Sequence, residues 1–335
     1  MRRLDHYWYH RNWVAILLRP LSWLFRVLSS IRRLLYHFKI LNSVKLPVPV
    51  IIVGNISVGG TGKTPLTIAL VELLKKKGYT PGVITRGYGG ELQSKPAIVT
   101  EDSDPYLVSD EAVLLAQRGQ CLVAASPDRI ASSRMLIDQG CDIIVSDDGL
   151  QHYRLQRDIE IAVVDAARGF GNGYCLPAGP LREPIKRLAT VDFVVMNSDR
   201  ADESGRYNMI MRSHAPRYLT SHAEVCMEQF VDAGENTKVH AIAAIGNPQR
   251  FFRYLTSLGL VVIEHAFADH HRYQREDIVF NDHYPVFMTE KDAVKCRKII
   301  DDENYFYIAI DALLDESFKL SLMTLLTKVE HTPHV

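Results

Sequence analysis

The sequence lacks the features that mark several large classes of protein. Its net charge is +0, which gives no bulk argument for a nucleic-acid partner, and no internal repeat or low-complexity tract is found. The cysteines form no C-x-x-C pair, so neither a zinc site nor a disulfide framework is indicated, and a reducing cytoplasm is the natural setting. The five are Cys121, Cys141, Cys175, Cys226 and Cys296. The 335 residues are enough for two domains, and nothing in them requires an obligate protein partner.

A long apolar run is also absent from the start of the chain. The longest charge-free run among residues 6–41 is Asn12 to Leu18, whereas a membrane-spanning helix needs about 20 apolar residues. Residues 1–45 carry nine Lys and Arg against one acid, Asp5, which leaves 30 basic and 38 acidic residues in the remainder. A basic, aromatic, amphipathic segment is typical of a helix lying on an anionic membrane surface. The alternative is a helix that packs its apolar face on the protein's own core.

The strongest motif begins at Val48. An apolar, β-branched run to Val53 predicts a buried strand, and a glycine-rich loop to Gly62 follows it. Helical spacing then predicts a helix over Lys63–Lys77. Such a loop and helix start bind phosphate through backbone N–H groups, with a lysine on the phosphates and a hydroxyl on Mg²⁺. The predicted residues for ATP are Ser57, Val58, Gly59, Gly60, Thr61, Gly62, Lys63 and Thr64.

The loop departs from the usual pattern at one position. G-x-x-x-x-G-K-[ST] requires glycine where this chain has Ser57. The strand before the loop and the helix after it still favour phosphate binding over a glycine-rich turn without a ligand.

A second motif, which is acidic, follows another predicted strand. Residues 141–149 read CDIIVSDDG, an apolar strand that ends in Asp147 and Asp148, where one carboxylate can hold Mg²⁺. Further strands are predicted at Pro81–Thr85, Leu122–Ser126, Ile159–Asp165 and Val191–Asn197. These strands favour an α/β fold with a mostly parallel sheet. The polar side chains expected at the same edge are Arg86, Gln151, His152, Arg154 and Asn197.

The acidic pair Asp110–Glu111 permits two interpretations. The acids suit the dipole of a helix capped by Ser109, and beside a nucleotide they could also act as a general base and a metal ligand.

The domain prediction divides the chain after the basic start. It places the phosphate-loop domain at 46–205, a linker at 206–238 and a smaller α/β domain at 239–335. A histidine in the loop around His270 could tune a carboxylate across the cleft between the domains.

Taken together, the motifs resemble the tetraacyldisaccharide 4′-kinase family of Gram-negative bacteria over nearly the whole chain. They are GNISVGGTGKTP, TRGYGG, SDEA, SDDGLQHYRLQRD, LPAGPLREP, FADHHRY and MTEKDAVK. The resemblance implies transfer of the γ-phosphate of ATP to the 4′-hydroxyl of an acylated disaccharide 1-phosphate, forming lipid IVA. It places the enzyme at the cytoplasmic face of the inner membrane.

The resemblance also implies roles for residues. Asp110 would accept the hydroxyl proton with His270 as its partner, and Lys63 would hold phosphate. Thr64, Glu111 and Asp147 would lie near Mg²⁺. The substrate pocket would contain Arg86, Arg129, Asp148, Gln151, His152, Arg182 and Glu183. The family's loop usually has proline where this chain has Ala268, which bears on the geometry of the loop.

Two other classes remain open from the sequence. A membrane-associated P-loop switch ATPase usually carries a second lysine at the start of the loop, but this chain has Val58 there. A nucleotide-binding membrane adaptor without catalysis would not need Asp110.

Overall fold

The structure is a computed structural model that describes residues 7–9, 12–87, 90, 95–198, 207–231 and 237–331. Residues 1–6 and 10–11 of the predicted basic segment lie outside the described residues, as do Tyr88 and Gly89 of the TRGYGG motif.

The chain alternates strands and helices for most of its length. The helices are α1 (Trp13–Leu17), α2 (Arg19–His37), α3 (Lys63–Lys76), α4 (Pro105–Val108), α5 (Asp110–Gly119), α6 (Arg129–Asp138), α7 (Glu228–Val231), α8 (Pro248–Ser257), α9 (Arg275–Ile278), α10 (Glu290–Cys296) and α11 (Glu316–Glu330). The strands are β1 (Val50–Gly54), β2 (Pro81–Thr85), β3 (Ala97–Val99), β4 (Leu122–Ala125), β5 (Ile143–Ser146), β6 (Ile159–Asp165), β7 (Phe193–Asn197), β8 (Tyr207–Ser213), β9 (Arg217–Tyr218), β10 (Lys238–Ala243), β11 (Val261–Ala266), β12 (Val286–Thr289), β13 (Tyr305–Ile308) and β14 (Ile310–Leu314).

The larger of two sheets carries the phosphate loop. Its nine strands run in the order β14-β8-β7-β6-β1-β5-β2-β4-β3, and the pairs β14–β8 and β3–β4 are antiparallel. β1 and β6 are buried along their whole length, as β-branched strands covered on both faces should be. Helices α3, α5 and α11 cover one face. The sequence therefore predicted the fold class correctly.

A second sheet forms a smaller unit. Its five strands run β11-β10-β12-β13-β9, and all pairs are parallel except β13–β9. One face packs against Phe251 and Phe252 of α8 and the other against Ala293 and Cys296 of α10.

The chain crosses between the two sheets at two adjacent points. It leaves the large sheet after Ser213 and returns to it after Ile308, and the N–H of His214 donates to the carbonyl of Ala309 at 3.0 Å. The expected linker therefore contains β8 of the large sheet and β9 of the small one. Likewise, residues 310–330 of the expected smaller domain leave its sheet, because β14 pairs with β8 and α11 packs on the large sheet. β8 is only partly buried and β9 has two residues, so the hydrophobic pattern alone did not assign these strands.

The amphipathic start forms α1 and α2, and most of its apolar side chains face outward. Trp13, Leu17 and Trp23 are 74%, 70% and 66% exposed. On the inner side, the hydroxyl of Ser22 donates to the carbonyl of Cys175 at 2.7 Å. Most of the apolar face is thus not packed on the protein's own core, although Phe25 contacts it. Within the described ranges, no helix is long and apolar enough to cross a membrane.

Because α11 packs on the large sheet, substitutions on its buried and exposed sides should differ in their effect on stability. Phe318 is fully buried against Phe193 and Tyr207, whereas Leu320 is 71% exposed. Phe318→Ala should lower the free energy of unfolding by about 3–5 kcal/mol, because it removes a core aromatic ring. Leu320→Ala should stay within about 0.5 kcal/mol. Denaturant unfolding of both variants checks this, and equal losses would contradict the packing of α11.

Candidate active site

The phosphate loop joins β1 to α3 at the carboxyl edge of the large sheet. Gly59 and Gly62 have φ values of +106° and +97°, in the left-handed region that favours glycine. A Cβ on Gly62 would lie 2.3 Å from Cε of Met211. The first N–H groups of α3 have no partner within the helix, so this end attracts an anion.

Ser57 occupies a position of the loop that does not require glycine. It forms an antiparallel bridge with Leu181, and its φ is not positive. The neighbouring N–H of Val58 donates to the carbonyl of Pro180 at 2.8 Å. The start of the loop is therefore extended, and a serine fits it without strain.

Three amides hold the loop in place. The Nδ2 of Asn55 donates to Oγ1 of Thr61 at 3.1 Å, and the Nδ2 of Asn197 donates to the carbonyl of the same residue at 3.0 Å. The Nε2 of Gln151 donates to the carbonyl of Asn55 at 3.0 Å. Asn197 thus contacts the backbone of the phosphate loop. Asn55 was not among the predicted residues, although its position directly after β1 was an available signal.

The two acids after β5, Asp147 and Asp148, have different surroundings, and their pKa values shift in opposite directions. Burial, the charge of Glu111 and the charge of Asp148 raise the pKa of Asp147 to about 7, against the opposing charge of Lys63. Asp148 has a φ of +47° and accepts from Arg182 Nη1 at 3.0 and 3.1 Å, with Lys63 Nζ at 3.6 Å. Burial would raise the pKa of Asp148, but Lys63 and Arg182 outweigh it and the pKa is lowered.

Arg129 stabilises the turn that carries Asp147 and Asp148. It is buried, and its guanidinium donates to Oγ of Ser146 at 3.1 Å and to the carbonyl of Asp148 at 2.7 Å. Burial lowers its pKa to about 10. Arg129 does not line the cleft in this structure, although the sequence expectation put it in the substrate pocket.

His152 lies near Arg129 and is also not among the cleft-lining residues. Its Nε2 is buried and has no hydrogen-bond partner among the described residues. Burial and the charges of Arg129 and Arg157 lower its pKa to about 4, so the ring is neutral.

Asp110 and His270 meet across the two units. The Nδ1 of His270 lies 3.0 Å from Oδ1 of Asp110, although the residues are 160 positions apart in sequence. Burial would raise the pKa of Asp110, but the charges of Lys291 and Lys295 and the bond to His270 lower it well below its usual range. Burial opposes protonation of His270, yet the bond to Asp110 raises the pKa of the ring.

A cleft of about 2320 Å³ lies between the units and brings most of the predicted residues together. His270 lines it, whereas Asp110 lies behind His270 and is only 3% exposed. Ser57 and Asp147 also lie outside the lining. The predicted residues that line the cleft are Val58, Gly59, Gly60, Thr61, Gly62, Lys63, Thr64, Arg86, Glu111, Asp148, Gln151, Arg182, Glu183 and His270.

Glu183 is held at the wall of this cleft. It accepts from the hydroxyl of Tyr153, and its Oε2 lies 3.4 Å from Nε of Arg187. Arg187 in turn binds Glu160 at 2.5 Å. The sequence analysis missed Tyr153, which also lines the cleft, and it missed Lys291 of α10.

The oxygen atoms at the site decide whether it suits a magnesium ion. The described residues contain no cluster of three or more His, Cys, Asp or Glu side chains that could hold a metal alone. Mg²⁺ instead uses one or two carboxylates together with substrate phosphates and water. The hydroxyl of Thr64 and the carboxylates of Glu111 and Asp147 are oxygen donors of the required kind. Burial raises the pKa of Asp147 and the charge of Glu111 raises it further, so these two carboxylates lie close enough to interact. The residues present therefore fit a magnesium ion.

A phosphate loop at one wall of the cleft and an Asp–His pair at the other define a P-loop phosphotransferase. A model of the tetraacyldisaccharide-1-P 4′-kinase family, LpxK, matches residues 14–327. The chain belongs to this family.

Individual relatives agree with the family match. The tetraacyldisaccharide 4′-kinase of Nitrosococcus oceani is 47% identical over 321 residues, covering 96% of this chain and 93% of the relative. That of Coxiella burnetii strain RSA 331 is 43% identical over 331 residues, covering 98% and 97%. The crystal structure of LpxK from Aquifex aeolicus in complex with ATP has a TM-score of 0.77 and 28% identity. It covers 94% of this chain and 99% of that chain.

The loop geometry predicts that Gly60 and Gly62 differ in how well they tolerate replacement by alanine. Gly62→Ala should destabilise the fold by at least about 1–2 kcal/mol, because alanine is strained in the left-handed region. Gly60→Ala should stay within about 0.5 kcal/mol, because its Cβ would meet no atom within 4 Å and its φ is not positive. Denaturant unfolding measures both. A Gly62→Ala variant as stable as Gly60→Ala would show that the left-handed turn is not required.

Proposed function

We propose that this protein transfers the γ-phosphate of ATP to the 4′-hydroxyl of a tetraacylated glucosamine disaccharide 1-phosphate, which yields lipid IVA. The observation that carries the proposal is the shared cleft, where the phosphate loop of the large unit faces the Asp110–His270 pair. The family match and the ATP complex of the Aquifex aeolicus relative support it. They also favour the kinase over a P-loop switch ATPase.

The chemistry needs positioning and charge neutralisation more than covalent catalysis. The bond from the 4′-oxygen to the γ-phosphorus forms as the bond from that phosphorus to the β,γ-bridging oxygen breaks. Lys63 and the loop N–H groups hold the phosphates. Arg182 and Arg86 line the cleft and supply positive charge for the transferring group. Mg²⁺, held by Thr64, Glu111 and Asp147, would add charge neutralisation when bound.

The Asp110–His270 dyad accepts the proton of the attacking hydroxyl. His270 is the member that faces the cleft, and its Nδ1 is bound to Asp110. Because Asp110 is held ionised and the pKa of His270 is raised, the pair can take up a proton as a unit.

Polar residues along the cleft suit a sugar acceptor. Gln151, Glu183 and Tyr153 offer donors and acceptors of hydrogen bonds, and Asp148 fixes Lys63 and Arg182. Arg129 and His152 act beneath this surface by supporting the turn.

The two sheets define the domain organisation that we propose. The phosphate-loop unit contains residues 46–213 and 310–330, and the smaller unit contains residues 217–308. The variants of Phe318 and Leu320 described above test the assignment of the last helix.

The position of α2 connects the cleft with an anionic membrane surface. Phe25, Leu28, Ser29 and Arg32 line the cleft, while Trp23 and Leu24 face outward. One helix can therefore insert apolar side chains among lipids and border the site that takes the lipid headgroup. This supports peripheral attachment at the cytoplasmic face of the inner membrane.

The kinase proposal predicts labelled lipid from labelled ATP. With Mg²⁺ and the acylated disaccharide 1-phosphate in detergent micelles, wild type should transfer the γ-phosphate. Asp110→Ala should lose about 10²–10⁴-fold in rate because the base is incomplete. Asp102→Ala, at an exposed acid, is the control and should match wild type. ATP hydrolysis without lipid, and no labelled lipid, would favour the switch ATPase instead.

Membrane attachment predicts sedimentation with anionic vesicles. Changing Trp13 and Trp23 together to Glu should weaken binding to phosphatidylglycerol vesicles at least tenfold, because both indoles are exposed on the apolar face. Leu320→Glu makes a similar change on α11 and should leave binding unchanged. Equal binding by all three proteins would exclude α1 and α2 as the membrane contact.

A further inference from the structure

Two lysines lie close to Asp110 of the dyad, and the sequence motifs assign no role to them. We propose that Lys291 and Lys295 of α10 are positioning residues that fix the Asp110 carboxylate and align it with His270. The inference rests on the proposed kinase function and extends it to the MTEKDAVK segment.

The two lysines share one face of a helix. They are four positions apart, so their side chains project from the same side of α10. The side chains of Lys291 and Lys295 are only 15% and 2% exposed. Lysine is rarely buried unless it is paired with an opposite charge, and here both ammonium groups approach Asp110.

The two oxygens of Asp110 have different surroundings. Oδ1 accepts from the N–H of Glu111 at 2.8 Å, contacts His270 at 3.0 Å and has Lys291 Nζ at 3.9 Å. Oδ2 is buried and accepts no hydrogen bond from the described residues. Lys295 Nζ lies 3.4 Å from it and supplies a compensating charge. Lys295 thus pairs with the oxygen that has no hydrogen bond, through an ion pair rather than a hydrogen bond.

Lys295 is itself fixed by a buried acid. Its Nζ lies 3.2 Å from Oδ1 of Asp292, which is fully buried. Asp292 accepts from the hydroxyls of Thr289 at 2.6 Å and Tyr273 at 3.0 Å, and from the N–H of Ala244 at 3.2 Å. These bonds hold Asp292, and through it Lys295, against the sheet of the smaller unit.

Lys291 joins the two segments that carry the dyad. Its Nζ contacts Glu111 at 3.1 Å and Asp269 at 3.3 Å. Glu111 follows Asp110 and Asp269 precedes His270, so one ammonium group binds next to each member of the pair. Movement of either segment would break one of these contacts.

The acids around the dyad outnumber the cations even with both lysines present. The acids here are Asp110, Glu111, Asp269 and Asp292, and the cations are Lys291 and Lys295 with His270 between them. Removing one lysine leaves a carboxylate that is poorly compensated and free to reorient. The phosphate loop, where we propose that ATP binds, lies at the opposite wall of the cleft, so the loss should appear in turnover rather than in ATP affinity.

The test is a double-mutant cycle on the full chain in the labelled-lipid assay. Lys291→Met should lower kcat at least tenfold, while the KM for ATP and the KM for the lipid change less than about threefold. Lys291→Arg should recover a substantial part of kcat because it restores the charge. In an Asp110→Ala background, Lys291→Met should change kcat less than about twofold, because it acts through Asp110.

The matched control is Lys298→Met, since Lys298 is exposed on the following turn and donates to the carbonyl of Asp102 at 3.1 Å. It should match wild type. Lys295→Met should repeat the Lys291 result, and thermal unfolding shows whether it folds; if it does not, the Lys291 variants decide.

Three outcomes would overturn the inference. An unchanged kcat for Lys291→Met would exclude positioning, and an undiminished loss in the Asp110→Ala background would show that Lys291 acts elsewhere. A raised KM for ATP with normal kcat would make it a nucleotide ligand. In each of these three outcomes, labelling of the lipid by wild type would still support the proposed kinase function. Absence of labelling by wild type would instead overturn both proposals.

Discussion

Buried carboxylates need cations close by, and this requirement joins the two sheets at their carboxyl edges. Asp148 lines the cleft with 33% of its side chain exposed, whereas Asp110 is buried in the wall between the units. Lys63 and Arg182 compensate the first from within the large unit. Lys291 and Lys295 compensate the second from the smaller unit. A buried acid without such a partner would cost several kcal/mol, so the smaller unit cannot move away without exposing Asp110 to water.

A further set of ion pairs fixes the helix that carries these lysines. Arg118, near the end of α5, contacts Glu290 at 2.8 Å and also binds Asp311. His214 lies 2.6 Å from the other oxygen of Asp311. Asp311 and His214 belong to the two crossing segments, whereas Glu290 directly precedes Lys291. Arg118 therefore couples the crossing point between the sheets to the start of α10, which holds the lysines in reach of Asp110.

The parts of the structure that the sequence predicted are those encoded locally. Continuous β-branched runs and a glycine loop before Lys63 were sufficient for the phosphate site and the parallel sheet, because these patterns concern residues close together in the chain. The Asp110–His270 pair joins positions 160 residues apart on different units, and only the family resemblance pointed to it. The partial exposure of β8 and the shortness of β9 hid the crossing strands within an expected linker.

Three left-handed residues other than glycine lie around the site, and they show how it is preorganised. Ser109, Asp148 and His270 have φ values of +87°, +47° and +60°. Such conformations cost of order 1–3 kcal/mol each and persist only where surrounding contacts fix them. Here Ser109 caps α5 and so places Asp110, Arg182 holds Asp148, and Asp110 holds His270. Phosphoryl transfer gains rate from groups that are already in position. The strained backbone is therefore best understood as the means by which a base and a phosphate-side carboxylate are kept at fixed places in one cleft.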